Sequence, residues 1–77
     1  MRGSVTDWIQ NLGYGFILGE DGCIVCFDEN ALDDSSFKSL SVGKWVEYEV
    51  EQWGERPIAV KVRLIPGLKI KAAHRQK

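Results

Sequence analysis

Two cysteines are the first side chains whose type and spacing suggest chemistry. Cys23 and Cys26 form a Cys-x-x-Cys pair, a spacing seen in thiol–disulfide redox pairs and in half of a zinc site. A zinc site needs about four ligands, and the other plausible ligand is His74, near the C-terminus. The apolar residues around the pair indicate a strand, where residues three apart point to opposite faces. We therefore expect two unlinked thiols in a reducing compartment, with no metal and no cofactor.

Neighbouring carboxylates are the second candidate for chemistry. Asp28 and Glu29 could in principle form an acid–base pair, but adjacent residues of a strand point apart, so we expect both to be solvated. The one histidine is His74, and no Ser-His-Asp set or phosphate-binding glycine loop is present in the sequence. We assign no catalytic residue and do not predict an enzyme.

The segment Gly13-Tyr14-Gly15-Phe16-Ile17 offers binding chemistry instead. In a strand, alternation puts Tyr14 and Phe16 on one face and Ile17 on the other. Exposed rings can stack with unpaired bases, because every base has a π-face. The same two rings could alternatively pack against a neighbouring loop or strand.

Five strand-like runs, separated by short turns, would position these side chains. They cover residues 3–9, 13–18, 23–27, 45–51 and 58–64 and predict a small all-β barrel. In the fourth run we expect Val46, Tyr48 and Val50 to share the inner face. In the fifth we expect Val60 and Val62 inside and Lys61 outside. The polar stretch 28–38 predicts a short helical turn at most.

Charge is distributed unevenly along the chain. Residues 1–60 carry four basic against eleven acidic residues, a net charge of −7, whereas residues 61–77 carry six basic residues and no acid. An acidic body weakens the case for a nucleic-acid partner, which is bound largely by phosphate neutralisation, and a basic end partly restores it. We predict one domain over residues 1–65 and a flexible basic tail over 66–77, which could equally be a linker.

Hydropathy predicts no membrane segment. The residues after Met1 do not resemble a signal peptide, and no apolar run approaches the roughly 20 residues of a membrane helix. We expect a cytoplasmic monomer that has no membrane partner.

The motifs together resemble the cold-shock domain family. Gly13-Tyr14-Gly15-Phe16-Ile17 is similar to the family's first ribonucleoprotein motif, and the match continues without a gap from about residue 3 to residue 64. Other matching residues are, in chain order, Asp21-Gly22, Val25, Phe27, Ala31-Leu32, Phe37 to Leu40, Gly43, Val46 to Val50, Pro57, Ala59 and Val62. The resemblance implies a five-stranded antiparallel barrel of the OB-fold type that binds single-stranded RNA or DNA.

The resemblance also implies which residues bind. Tyr14 and Phe16 match the first motif's aromatic residues, and Phe37 matches a loop aromatic that could either stack or plug the barrel end. Trp8 lies one position past the family's Trp, which is Asp7 here, and a strand bulge could bring it onto the platform. The predicted nucleic-acid-binding residues are Trp8, Tyr14, Phe16, Ile24, Cys26, Phe37, Arg56 and Lys61.

The second motif departs from the family. Cys26 stands where a stacking Phe is expected, and Asp28 where a His is expected. Asp28 and the adjacent Glu29 repel phosphate. The ring that is lost at Cys26 costs ~1–3 kcal/mol of base stacking. We therefore predict weak, largely sequence-tolerant binding of single strands, RNA more than DNA. The alternative is a protein-interaction domain whose nucleic-acid face has been lost, since an apolar patch with an acidic rim often marks a protein contact.

Overall fold

The structure is a computed structural model that describes residues 1–65. The predicted basic tail, residues 66–77, lies outside the described residues. Five strands and two short helical segments follow in chain order. They are β1 (Arg2–Ile9), β2 (Tyr14–Gly19), β3 (Ile24–Asp28), a 3₁₀ turn (Glu29–Ala31), helix α1 (Asp34–Ser39), β4 (Trp45–Trp53) and β5 (Arg56–Leu64).

The five strands close into a barrel in the order β1-β2-β3-β5-β4. Four of the neighbouring pairs are antiparallel, and β3 meets β5 in parallel at Cys26 and Ile58. The predicted all-β, five-stranded OB-type barrel is confirmed. The prediction of an antiparallel barrel is corrected at that one closure, because β3 and β5 are joined through α1 and β4 rather than by a hairpin.

The barrel interior is filled by side chains from all five strands. Alternate residues of a strand point to opposite faces, so each strand sends its buried positions inward. Ile17 is fully buried, as its place in the alternation predicts. The core consists of Val5, Ile17, Val25, Phe27, Leu40, Val46, Tyr48, Ala59 and Val62.

Two bulges interrupt this alternation. In β1 the register with β2 shifts between Val5 and Asp7. In the β4–β5 pair it shifts between Glu47 and Glu49, opposite Lys61, whose φ of 54° is left-handed. An extra residue in one strand reverses the inward and outward positions beyond it. The predicted inward position of Val60 is therefore wrong: Val60 is half-buried on the outer side, while Ala59 and Val62 are buried.

The outer half of β4 extends past the core. Val50, predicted to share the inner face with Val46 and Tyr48, is 44% exposed, and every residue of β4 from Glu49 onward is exposed. The prediction for Val50 is wrong because strict alternation continues into a β4–β5 ribbon that has no core beneath it.

Helix α1 closes one side of the barrel. Asp33 caps it by accepting a 2.8 Å hydrogen bond from the backbone N–H of Ser36, and this bond lowers the pKa of the Asp33 carboxyl. The buried Ser36 hydroxyl accepts a 3.4 Å hydrogen bond from the backbone N–H of Leu64, which ties the helix to β5. No helix within residues 1–65 is long and apolar enough to cross a membrane.

Candidate functional site

The outer face of β1, β2 and β3 carries the candidate site. Antiparallel pairing sets residues of three strands side by side in rows, with side chains of one row on the same face. The three outward rows are Ile9–Tyr14–Asp28, Asp7–Phe16–Cys26 and Ser4–Leu18–Ile24. We call this surface the platform.

Tyr14 and Phe16 occupy the centre of the platform. Both are half-buried, their ring centroids are 6.0 Å apart, and the ring planes stand at 87°. Each lies between outward-facing cross-strand neighbours. The rings thus stand on the outer face of the barrel, as the Gly-Tyr-Gly-Phe alternation predicts, and their roles in binding stay predictions.

Two carboxylates flank the rings. Asp28 lies directly opposite Tyr14, and Asp7 lies directly opposite Phe16. The Asp28 Oδ1 atom accepts a 3.0 Å hydrogen bond from the Asn30 backbone N–H, which caps the 3₁₀ turn. The residues that the sequence predicts for the site do not include Asp7. The available signal is its place in the alignment, where the family has a Trp.

Trp8 lies on the other face of β1. Uniform alternation from buried Val5 would put Asp7 inside and Trp8 outside, and the bulge between Val5 and Asp7 reverses both. Trp8 pairs with Gly15 and stacks on Phe27 at 5.5 Å, against the core. The bulge that was expected to bring Trp8 onto the platform exists and does the opposite.

Phe37 of α1 belongs with Trp8. Its ring meets the Trp8 indole edge to face, with centroids 5.9 Å apart and planes at 88°. This contact with Trp8 fits the alternative in which Phe37 plugs the barrel end better than the one in which it extends the Tyr14–Phe16 pair. The Phe37 ring is half-buried, and its contact with a bound strand stays a prediction.

The third row is apolar. Leu18 is 39% exposed and Ile24 is 60% exposed, and the two residues lie directly opposite each other. Cys26, half-buried, stands one row away beside Phe16. The predicted site residues Ile24 and Cys26 are therefore on the same face as the two rings.

The two basic residues among the predicted nucleic-acid-binding side chains, Arg56 and Lys61, are separated. Arg56 begins β5 and is exposed, on the same side of that strand as Ile58, which pairs with Cys26 of the platform. Lys61 lies past the bulge, where its Nζ is 3.8 Å from the Glu49 Oε1. Arg56 adjoins the platform edge, and Lys61 borders a different surface, a cavity lined also by Asp33 and Glu47.

Neither the cysteines nor the acids form a metal cluster in the described part of the chain. Cys23 is exposed in the turn that precedes β3, Cys26 lies on the platform, and both are free thiols. Residues 1–65 contain no group of three or more side chains placed to hold a metal ion.

Comparison with known proteins gives consistent matches. A family model for the 'Cold-shock' DNA-binding domain matches residues 1–65. A cold shock-like protein of Thermotoga maritima is 34% identical over 65 residues, which cover 84% of this chain and 98% of that protein. Cold shock protein 2 of Lactiplantibacillus plantarum is 36% identical over 64 residues (82% of this chain, 97% of that protein). Cold shock-like protein CspC of Escherichia coli is 33% identical over 66 residues (84% and 96%).

Proposed function

The chain belongs to the cold-shock domain family, and from that membership we propose that it binds single-stranded nucleic acid, RNA more than DNA. The observation that carries the proposal is the placement of Tyr14 and Phe16 together on the outer face of β2, 6.0 Å apart. The role of the platform is binding rather than catalysis. Its ligand is a flexible strand with unpaired bases.

Each ring holds one base. Stacking of a base on an aromatic ring contributes ~1–3 kcal/mol and is tolerant of sequence, because every base has a π-face. The planes of Tyr14 and Phe16 stand at 87°, so two bases stacked on them cannot be coplanar. The strand therefore turns between the two bases, which a single strand can do and a duplex cannot.

Charge keeps the interaction weak. Asp7 and Asp28 flank the rings, whereas two exposed basic side chains adjoin the platform edges: Arg56 of β5, and Arg2, which shares the outward side of β1 with Ser4. Each phosphate neutralised on a single strand contributes about −0.7 to the slope of log K against log salt. With Arg2 and Arg56 as the two contacts, residues 1–65 account for a slope of about −1.4.

A titration of labelled oligonucleotides by fluorescence anisotropy, at low salt, tests the proposal. Tyr14→Leu and Phe16→Leu remove a ring while they keep an apolar side chain, and we expect each to weaken binding about 5–150-fold, as loss of one stacked base predicts. Tyr14→Phe keeps the ring and is expected to bind like the unchanged protein.

The control for these variants is Val42→Ala. Val42 is 61% exposed in the turn before β4, so its truncation removes an exposed apolar side chain outside the platform rows. Undetectable binding at low salt, or equal affinity in the Leu variants and the control, would reject the proposal.

A protein partner is the second candidate function. The apolar third row, with Ile24 60% exposed beside Leu18, is the observation that favours it, because exposed apolar patches mark contact surfaces. Ile24→Ser separates the candidates without adding a charge. It would abolish a protein contact centred on this row, but it would weaken binding of a single strand less than Tyr14→Leu or Phe16→Leu does.

A further inference from the structure

We propose that Asp7 and Asp28 select the bases that stack on Phe16 and Tyr14, favouring cytosine over uracil through its exocyclic amino group. The proposal rests on the proposed function, since it concerns the same two rings. The preferred ligands are single strands whose bases present an amino donor at the edge that extends past the ring.

The strand register places each carboxylate next to one ring. Asp28 is the direct cross-strand neighbour of Tyr14, and Asp7 is the direct cross-strand neighbour of Phe16. Direct neighbours in an antiparallel pair have Cβ atoms about 4.5–5.5 Å apart. A base stacked on either ring can therefore extend its edge over the adjacent carboxylate.

Each carboxylate has an oxygen available for a ligand. The Thr6 hydroxyl donates to Asp7 Oδ2 at 3.2 Å, and the Asn30 N–H donates to Asp28 Oδ1 at 3.0 Å. The other oxygen of each side chain makes no hydrogen bond within residues 1–65, and both residues are exposed. An ionised carboxylate accepts hydrogen bonds and donates none, so these exposed oxygens can exchange water for a donor on a bound base.

Bases differ in what they offer at that edge. Cytosine presents the N4 amino donor, and acceptance from this group by Asp or Glu is an established mode of base recognition. Uracil presents the O4 acceptor at the same position, which repels a carboxylate. Unpaired bases are read on these edges once they are splayed out of a stack. The two pyrimidines have the same ring size, and they also differ at N3, which is an acceptor in cytosine and an N–H donor in uracil. The carboxylates therefore favour cytosine where they face position 4 of the base rather than N3.

The opposite ends of the two rows do not compensate for this preference. Tyr14 has Ile9 on its other side, and Phe16 has Cys26, whose thiol is only a weak donor. The Tyr14 hydroxyl lies in the plane of its own ring and cannot reach a base stacked on that ring, and apart from it neither row provides a strong side-chain donor for O4 of uracil. Cytosine is therefore distinguished from uracil by a carboxylate acceptor that lies on one side of each ring and has no matching donor on the other side.

Paired titrations with the RNA hexamers C6 and U6, at pH 7 and low salt, test the proposal on the full chain. The measured quantity is the ratio of the two affinities, because charge repulsion of the backbone acts on both hexamers and cancels. We expect C6 to bind at least fivefold more tightly than U6. In the double variant Asp7→Asn/Asp28→Asn the ratio should fall below twofold, since an amide can rotate to donate or accept.

Matched variants separate selection from net charge. Asparagine caps helices as well as aspartate does, so Asp28→Asn preserves the start of the 3₁₀ turn. The control Asp34→Asn/Glu55→Gln removes two other exposed carboxylates and is expected to keep the full C6 preference.

The outcomes distinguish this inference from the proposed function. Equal binding of C6 and U6, or a preference that survives in the double Asn variant, overturns the selection by Asp7 and Asp28 and leaves nucleic-acid binding standing. Binding of neither hexamer overturns both. A ratio that the control pair abolishes as strongly as the Asp7 and Asp28 changes also overturns the selection.

Discussion

The indole of Trp8 stacks on the phenyl ring of Phe27, with ring centroids 5.5 Å apart and planes 13° from parallel. The two residues lie two strands apart, on β1 and β3, and Gly15 of β2 occupies the row between them. A Cβ on Gly15 would stand 3.0 Å from the Phe27 ring. The bare glycine is what lets the two rings meet across the strand between them.

Truncation of Trp8 should therefore reduce stability more than binding. Trp8→Ala removes a half-buried ring that packs on Phe27 and Phe37, and we expect the free energy of unfolding to fall by about 2–3 kcal/mol. Urea unfolding followed by circular dichroism measures the change. Oligonucleotide affinity of the folded protein should stay within about threefold of the unchanged protein.

Trp53→Ala is the matched control for that prediction. Trp53 is 62% exposed and its Nε1–H donates a 3.0 Å hydrogen bond to the exposed Glu51 carboxylate, so its loss should cost less than about 0.5 kcal/mol. Equal destabilisation by the two substitutions, or a Trp8 variant that loses affinity as Tyr14→Leu does, would contradict the assignment of Trp8 to the core.

Gly15→Ala is predicted to destabilise the barrel severely. The new Cβ would lie 2.3 Å from the backbone oxygen of Asp7 as well as close to Phe27, and a packed strand pair cannot move to accommodate it cheaply. We expect a loss of about 3 kcal/mol or more, measured by thermal unfolding. A Cβ on Gly22 would have no atom within 4 Å, so Gly22→Ala should cost only about 1 kcal/mol for the left-handed φ of 86°. The melting temperatures of the two variants should therefore differ clearly.

Lys61→Gly is predicted to stabilise the protein. Lys61 holds a φ of 54°, which costs a residue with a Cβ about 1 kcal/mol relative to glycine. The salt bridge to Glu49 is lost in the variant, but both side chains are more than half exposed and such pairs contribute little. Lys61→Ala loses the same salt bridge and keeps the Cβ. The free energy of unfolding of the Gly variant, measured with urea, should therefore exceed that of the Ala variant by about 1 kcal/mol. The reverse order would refute the strain.

Acid should weaken the cap of α1. The hydrogen bond from the Ser36 N–H lowers the pKa of Asp33 below its ordinary value of 3.8. A carboxyl with a lowered folded-state pKa contributes stability that is fully present above the unfolded value and is lost as pH falls through the folded value. The urea midpoint of the unchanged protein should therefore fall relative to Asp33→Asn below about pH 4. A constant difference from pH 7 to pH 3 would contradict this origin.

Much of the fold follows from the residue pattern. Alternation placed Ile17 inside and the Tyr14–Phe16 pair outside, and both positions hold because β2 has no irregularity over this segment. Val60 and Val50 were predicted wrongly for two reasons. A bulge moves Val60 outward, and β4 continues beyond the core at Val50. Binary patterns encode which face a residue prefers, but they do not encode where an extra residue enters a strand.

In the candidate site, too, alternation predicts the face of residues in regular strands and fails at a bulge. Tyr14, Phe16, Ile24 and Cys26 fall on the platform as the pattern and the resemblance imply, whereas Trp8 and Asp7 exchange faces at the β1 bulge. Arg56 and Lys61 look alike in sequence as exposed bases of β5. Only the structure shows that Arg56 adjoins the platform, whereas Lys61 forms a salt bridge with Glu49.

The most direct measurement for the central claim is an aromatic NMR titration of the full chain with a single-stranded hexamer. Bases stacked on the platform should give intermolecular NOEs to the ring protons of Tyr14 and Phe16, together with large shifts of their resonances, while the ring of Tyr48, buried in the core on β4, stays unperturbed. A hexamer that binds without contacts to either platform ring, or that shifts Tyr48 as strongly as those rings, would contradict the account.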